Sequence, residues 1–313
     1  MAMSLLAGEP GLVAILAGIL GLLIGSFLNV VVYRLPRIMR RQWASDATQI
    51  LLEPEIAAEL QLPETLLSSL SAALKPLGEL VQKLPVLSLS KPRSRCPSCG
   101  HSISALENIP ILSWLVLAGR CRACKCRISM RYPLVEGAVG LLFGLAALQF
   151  GATAQGAASL VLISLLVAMT LIDADTMLLP DALTLSLLWI GLLLSASGKG
   201  FVTLEASVVG AAVGYAAFWI IGTGFRVLRG MEGMGAGDYK LLAALGAWFG
   251  WTGLLPIVVL AAGVGSLVGI TLILMRRATA LTRLPFGVYL APAGVIMLFF
   301  GPSLIALALP GVH

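Results

Sequence analysis

Charge is what this sequence has least of. Asp, Glu, Lys and Arg together make up 12% of its 313 residues, while 58% are hydrophobic and the mean hydropathy is +0.97. Soluble domains carry roughly twice that share of charge, so a water-soluble globular fold is excluded. Other absences narrow the reading further. No basic region leads the first apolar run, and its positive charges come after it, which argues against a cleaved signal peptide. No Lys-Ser or Lys-Thr follows the glycines of GMGAGDYK and no strand pattern precedes them, so this stretch is a poor phosphate cradle. There is no internal repeat and no low-complexity tract. What the chain does have is long apolar runs, which predict an all-α polytopic membrane protein.

Runs of about 20 residues, the length that crosses a bilayer core, fall at Gly11 to Tyr33, Leu134 to Phe150, Ala157 to Ile172 and Leu183 to Ala196. Others follow at Ala206 to Val227, Leu254 to Met275 and Phe286 to Leu309. Leu241 to Trp251 is short for a span, but the charge distribution requires it as an eighth. Lys and Arg accumulate in cytoplasmic loops. Arg34, Arg37, Arg40 and Arg41 follow the first run directly, whereas only Glu9 precedes it, which predicts an external amino terminus. Eight spans then bring Lys75 through Arg131, Arg226, Arg229 and the Arg276, Arg277, Arg283 group to the cytoplasmic side. Only Lys199 is left outside.

Against this apolar background two acids stand out. Asp173 closes the run SLVLISLLVAMTLI, and Asp238 ends GMEGMGAGD just before another apolar run. An ionisable residue at such a position is a functional-site hypothesis by default. The predicted threading puts both carboxylates at the cytoplasmic face and at similar depth. Two close carboxylates cannot both ionise cheaply, so such a pair holds one shared proton. The ionised member can take a proton from water while the other protonates a peptide carbonyl, which hydrolyses a peptide without metal or covalent intermediate. Gly235 and Gly237 are expected to permit close approach of an extended peptide, with positive φ available. The bland alternative is that each Asp caps a helix, and that reading suits either residue alone better than it suits both.

The long polar segment after the first span holds Cys96-Pro-Ser-Cys99 and Cys121-Arg-Ala-Cys124, two CxxC knuckles. Four thiolates complete a tetrahedral zinc shell with no open position, so a structural metal is expected of Cys96, Cys99, Cys121 and Cys124. A reducing cytoplasmic setting disfavours disulfides. Cys126 is a fifth thiol, either spare or a substitute for Cys124. The basic residues around the knuckles suit anionic lipid headgroups. Nucleic acid is not expected as a partner, because no aromatic residues interleave these cations. Gln42 to Ser90 reads as an insertion of two or three short amphipathic helices, and NIPILSWLVLAG as an interfacial or buried segment too short to span.

Six motifs occur together in one order: GSFLNVVVYRLP, CPSCG, ENIPILSWLVLAGRCRAC, ISMRYPLVEG, LIDADTMLLPDALTL and GMGAGDYKLLAALGAWFGW. In this the chain resembles the type IV prepilin peptidases over nearly its whole length, apart from the insertion at 42–90. The resemblance implies catalytic aspartates at Asp173, seven residues before Pro180, and at Asp238, which ends Gly235-Ala236-Gly237-Asp238. It demotes Asp175 and Asp181 to loop or capping roles. It implies a bacterial inner-membrane enzyme that cuts prepilins and pseudopilins after a Gly at the cytoplasmic face. It further implies methylation of the new amino terminus with S-adenosylmethionine. Glu136 matches an acidic position of the family, as a buried hydrogen-bond partner or a carboxylate for the leader's basic residues. Glu107 stands where many members carry Asp, and Cys126 is an added thiol. On this reading 1–33 is the first span and 34–131 the cytoplasmic region, with its helical insertion over 42–90 and zinc module over 91–131. The peptidase domain is 132–313. A non-catalytic zinc-bearing scaffold and a proton-coupled transporter are the alternatives, and midplane acids and a repeat, which a transporter would show, are missing.

Overall fold

The computed structural model describes residues 9–310 except 60, 62, 231–232, 278, 280–281 and 283. Arg283, counted above among the cytoplasmic cations, therefore lies outside the described residues. Ten α-helices occur among them: α1 (Pro10–Leu52), α2 (Pro54–Glu59), α3 (Glu64–Lys83), α4 (Leu112–Val116), α5 (Arg131–Phe150), α6 (Ala154–Thr176), α7 (Asp181–Ala196), α8 (Leu204–Arg229), α9 (Ala236–Leu274) and α10 (Gly287–Ala308). No β-strand appears among the described residues, only isolated bridges at Arg95 with Ser102 and Arg120 with Arg127. This is the all-α membrane architecture that the composition demands, since a helix satisfies its own backbone hydrogen bonds where no water can.

Six helices, α1, α5, α6, α8, α9 and α10, are long and apolar enough to cross a membrane, against the eight expected. The difference lies in two places. The apolar helix α7 has 16 residues and is too short to count by length. The two expected spans Leu241 to Trp251 and Leu254 to Met275 both fall within α9, which leaves helical geometry at Gly250 (φ 71, ψ 176). That left-handed value is one that glycine tolerates and other residues resist. The segment 236–249 contains about 20 Å of helix, short of a bilayer core of about 30 Å. Every residue from Leu241 to Gly250 is buried, as expected of a helix that is apolar all round.

The chain divides into two compact units, one combining Met1–Asn29 with Ser104–His313, the other Val30–Ile103. In the first, α9 packs on α7, α8 and α10, while α6 packs on α5 and α10. Its core holds Leu162, Leu166 and Met169 of α6, Leu187 of α7, Leu241, Leu245 and Trp248 of α9, and Leu290 of α10. The Trp248 indole N–H donates to the Leu187 carbonyl at 2.8 Å, and the buried Ser207 hydroxyl to that of Ala247 at 2.6 Å. Contact between α8 and α9 is backbone to backbone. A Cβ on Gly210 would collide with the Gly246 carbonyl, and one on Gly214 would lie 2.7 Å from the Leu242 carbonyl oxygen. Small residues four apart let membrane helices approach this closely. The α1–α5 contact repeats the device, since a Cβ on Gly21 would lie 2.7 Å from the Val139 carbonyl oxygen.

Within the stretch 42–90 of the second unit lie α2 and α3, and α1 continues into it through Pro36 to Leu52. Proline removes one backbone bond from a helix, yet bonds to a segment distant in sequence favour continuation. The buried Arg34 guanidinium donates to the carbonyls of Ser88, Leu89 and Pro92, at 2.9, 3.3 and 2.7 Å, and Arg41 donates to that of Pro85 at 3.0 Å. These bonds tie the segment after α3 along the extended α1. In the first unit, a 3-10 turn (Leu106–Asn108) leads into NIPILSWLVLAG, which forms α4, with Leu112, Leu115 and Val116 exposed. Of the two expectations, exposure favours an interfacial segment over a buried one.

The α8–α9 crossing supplies a test. Gly210→Ala is expected to lower the thermal midpoint in detergent through a destabilisation of about 1–3 kcal/mol, because the opposing atoms are backbone and cannot turn aside. Gly263→Ala, whose Cβ meets nothing within 4 Å, leaves the midpoint unchanged or slightly raised. Scanning fluorimetry of both variants beside the parent protein checks the contrast.

Candidate active site

Helix α6 ends just beyond Asp173. Met177 takes the left-handed conformation (φ 53), and its N–H bonds back to the Asp173 carbonyl at 2.8 Å. Pro180, at the N-cap of α7, then restarts the chain as a new helix. Met169, Ile172 and Asp173 are buried together, so the carboxylate points into the bundle with the apolar face of α6. Asp173 is 4% exposed. Its Oδ2 accepts the Val288 N–H at 3.1 Å from the first turn of α10. A Cβ on Gly287 would fall 2.7 Å from that oxygen, so only glycine lets α10 begin against the carboxylate.

Asp238 lies in the first turn of α9, whose N-cap is Gly235. It is 8% exposed, and its N–H bonds to the Gly235 carbonyl at 3.1 Å. Helix starts favour acidic residues electrostatically. The next residue steadies the approach to the turn: the Tyr239 hydroxyl donates to the Met234 carbonyl at 3.3 Å, and a Cβ on Gly222 would collide with that hydroxyl. The two glycines do not act alike, and neither has a positive φ. Among the described residues Gly235 faces little besides Asp238, whose Oδ2 would lie 3.7 Å from a Cβ there. Gly237 is filled by Leu179, whose Cβ would lie 2.7 Å away. The expected left-handed backbone at Gly235 and Gly237 is thus absent, because both are taken into the start of a regular helix.

Leu179 joins the two acids. It contacts Gly237, next to Asp238, and its Cδ1 would lie 3.0 Å from a Cβ on Gly287, the residue against Asp173. The structure thus brings together the C-terminal end of α6 and the N-terminal ends of α9 and α10 around two carboxylates and one leucine. Leu179, Gly287 and Val288 were not among the residues that sequence reasoning singled out. The turn-forming Pro285-Phe286-Gly287 ahead of an apolar run marked a helix start, but nothing local ties that start to Asp173.

Neighbouring acids are used differently. Asp175 accepts from Arg131 at 2.8 Å, and Asp181 accepts from Lys240 through both carboxylate oxygens at 2.7 and 2.8 Å. Neither Asp173 nor Asp238 forms an ion pair among the described residues. Glu136, 7% exposed, accepts the Ile111 N–H at 2.8 Å, and Gly25 packs on its Cα. That bond holds a residue with a strained positive φ of 58. Glu136 is thus a buried hydrogen-bond acceptor in this structure.

The sulfur atoms of Cys96, Cys99, Cys121 and Cys124 all lie within 4.8 Å of one another. A zinc ion bonded at about 2.3 Å to four thiolates holds its sulfurs a little under 4 Å apart, so the donor set and spacing fit such an ion. Each knuckle has the same local build. The Cys96 N–H bonds to the His101 carbonyl and the Cys121 N–H to that of Cys126, both at 2.9 Å. The residue after each second cysteine is left-handed, Gly100 at φ 73 and Lys125 at φ 59. Cys126 thus occupies the place of His101 in the second knuckle, supplying a backbone carbonyl, and stands outside the sulfur cluster.

Two family profiles match the chain: the bacterial peptidase A24 N-terminal domain over residues 19–150, and the type IV leader peptidase family over residues 160–270. Among curated proteins it is 46% identical over 301 residues to the prepilin leader peptidase/N-methyltransferase of Stutzerimonas stutzeri, covering 96% of this chain and 95% of that one. The protein of that name from Pseudomonas aeruginosa is 44% identical over 301 residues, covering 96% and 94%. The one from Aeromonas hydrophila is 46% identical over 297 residues, covering 95% and 94%. No solved structure gives a significant match. With both profiles matched and these relatives aligned over 94–96% of either chain, the chain belongs to the type IV leader peptidase family.

Proposed function

We propose that this chain is an intramembrane aspartyl endopeptidase that cuts the leader from type IV prepilins and pseudopilins after a Gly and then methylates the new amino terminus. The observation that carries the reading is the contrast among four acids on adjoining helix ends. Asp175 and Asp181 are neutralised by Arg131 and Lys240, whereas Asp173 and Asp238 are buried and form no ion pair among the described residues. Buried carboxylates without a counterion are expensive unless they share a proton or are put to use.

In this proposal the ionised member of the pair removes a proton from water while the protonated member donates to the carbonyl oxygen of the scissile peptide. The tetrahedral intermediate then collapses as the amine leaves with a proton from the dyad. The chain's own groups prepare that step. The Val288 N–H fixes Oδ2 of Asp173. The helix start at Gly235 orients Asp238, and the open side of Gly235 offers the peptide a place to lie. Leu179 gives the site an apolar wall that strengthens its electrostatic interactions.

Methylation calls for S-adenosylmethionine as donor, which supplies an electrophilic methyl group to the freed amine. Zinc is the metal assigned to Cys96, Cys99, Cys121 and Cys124, with a structural role, since four sulfurs leave no position for substrate. The arginines after the first span and the cations around the cysteines support an orientation with the amino terminus in the periplasm. Zinc module and active site then face the cytoplasm of a bacterial inner membrane.

Asp173→Asn and Asp238→Asn should each reduce cleavage of a prepilin by detergent-solubilised protein at least about 1,000-fold, while Asp175→Asn stays within tenfold of the parent. Cleavage by either dyad variant at the parent rate would refute the assignment. Transfer of labelled methyl to a pilin that is already cleaved is expected to survive in both dyad variants.

The metal is checked separately. Elemental analysis should find one zinc per chain in the purified protein and less in Cys121→Ser. Its removal by chelator should lower the thermal midpoint, since a structural zinc contributes folding free energy. A stoichiometry unchanged in Cys121→Ser would rule out the four-sulfur assignment.

A further inference from the structure

Lys240 and Asp181 are the cation and anion nearest in sequence to the proposed dyad on their two helices. Lys240 lies two residues after Asp238 in α9, and Asp181 is the first residue of α7. The ammonium contacts both carboxylate oxygens, at 2.7 and 2.8 Å, with the Lys240 side chain 29% exposed and that of Asp181 58%. An ion pair so open to water adds little to global stability. Its position gives it other work. The four residues between α6 and α7, 177–180, include Leu179, which rests on Gly237 and against Gly287, the neighbour of Asp173. Asp181 follows that loop directly.

We propose that the Lys240–Asp181 pair is a latch that positions the dyad: by fastening the start of α7 to the first turn of α9, it holds Leu179 between the two helix starts and sets the separation of Asp173 and Asp238. The proposal rests on the reading of those two residues as catalytic. Neither Lys240 nor Asp181 touches the reacting atoms; they are positioning residues acting through Leu179. The companion pair Arg131–Asp175 fastens the end of α6 to the start of α5, and Arg131 also reaches the Leu171 carbonyl at 3.5 Å. The helix end that bears Asp173 is therefore held independently, and the latch governs only the relation of α9 to the loop. Gly237 is the complementary requirement, because any side chain there would meet the Leu179 Cβ that the latch presses inward. Reaction rate depends more steeply on such placement than stability does, since misplacement by about 1 Å can cost a hundredfold.

The test is a double-mutant cycle on prepilin cleavage with Asp181→Asn, Lys240→Met and the two combined, in the full-length protein in detergent. Each single variant is expected to lower kcat about five- to tenfold with KM within twofold. The double variant should be no worse than the poorer single, because a latch is lost only once. Lys240→Arg, which keeps the charge, should return kcat to within about threefold of the parent. Thermal midpoints should stay close to that of the parent in all four. Multiplying losses in the double variant, a loss carried by KM, or no loss in either single variant would overturn the latch. If Asp173→Asn and Asp238→Asn abolish cleavage in the same assay while the cycle is additive, the latch alone fails. If those two variants cleave normally, the catalytic reading fails first.

Discussion

An ionised side chain carried into an apolar helical bundle loses its hydration, and the surrounding structure must replace it with a counterion, hydrogen bonds or a shared proton. The acids on adjoining helix ends of this protein meet the requirement in different ways. Asp175 and Asp181 sit at the surface of the bundle and take a cation each. Asp173 is turned inward and takes a backbone amide from the start of α10, and Asp238 is built into the start of α9. Glu136, also buried, is answered by the Ile111 amide. The proposed chemistry falls to the pair that no counterion neutralises among the described residues, because a carboxylate held by a cation is poorly placed to exchange protons.

Bringing two such groups together needs close approach of helix ends, and here the glycines matter more than the acids. Gly287 allows α10 to begin against Asp173, Gly237 admits Leu179 beside Asp238, and Gly210 with Gly246 lets α8 and α9 cross at backbone distance. Where lipid tails are as apolar as the side chains, packing closeness replaces the hydrophobic effect as the source of helix association. The wholly buried segment Leu241 to Gly250 is the outcome: it is surrounded by protein, follows Asp238 by three residues, and leaves helical geometry at Gly250.

The cysteine knuckles follow another logic. Each is a tight turn closed by its own backbone bond and a left-handed residue, and each offers two sulfurs. Neither turn has much apolar surface to bury, so an ion that binds four sulfurs suits a place where a hydrophobic core is small. The repetition of the turn also explains Cys126, whose backbone carbonyl does in the second knuckle what His101 does in the first.

Much of this was legible from residue order. Scarce charge and long apolar runs require membrane helices; paired CxxC spacing points to a metal; and the few acids against apolar runs single out Asp173 and Asp238 as candidates. Each is a local pattern, readable because the bilayer permits few solutions. What one-dimensional spacing could not express was contact between distant segments. It did not foresee that α1 runs unbroken through Pro36, since bonds from Arg34 and Arg41 to a segment some 50 residues away support it. Nor did it show that Gly237 serves Leu179 rather than a left-handed turn, or that Glu136 holds Ile111. Sequence by itself determined which groups are too costly to bury without purpose, because desolvation depends on residue type and hydropathy. Only the tertiary structure decided which of them meet, because that depends on where helix backbones can touch.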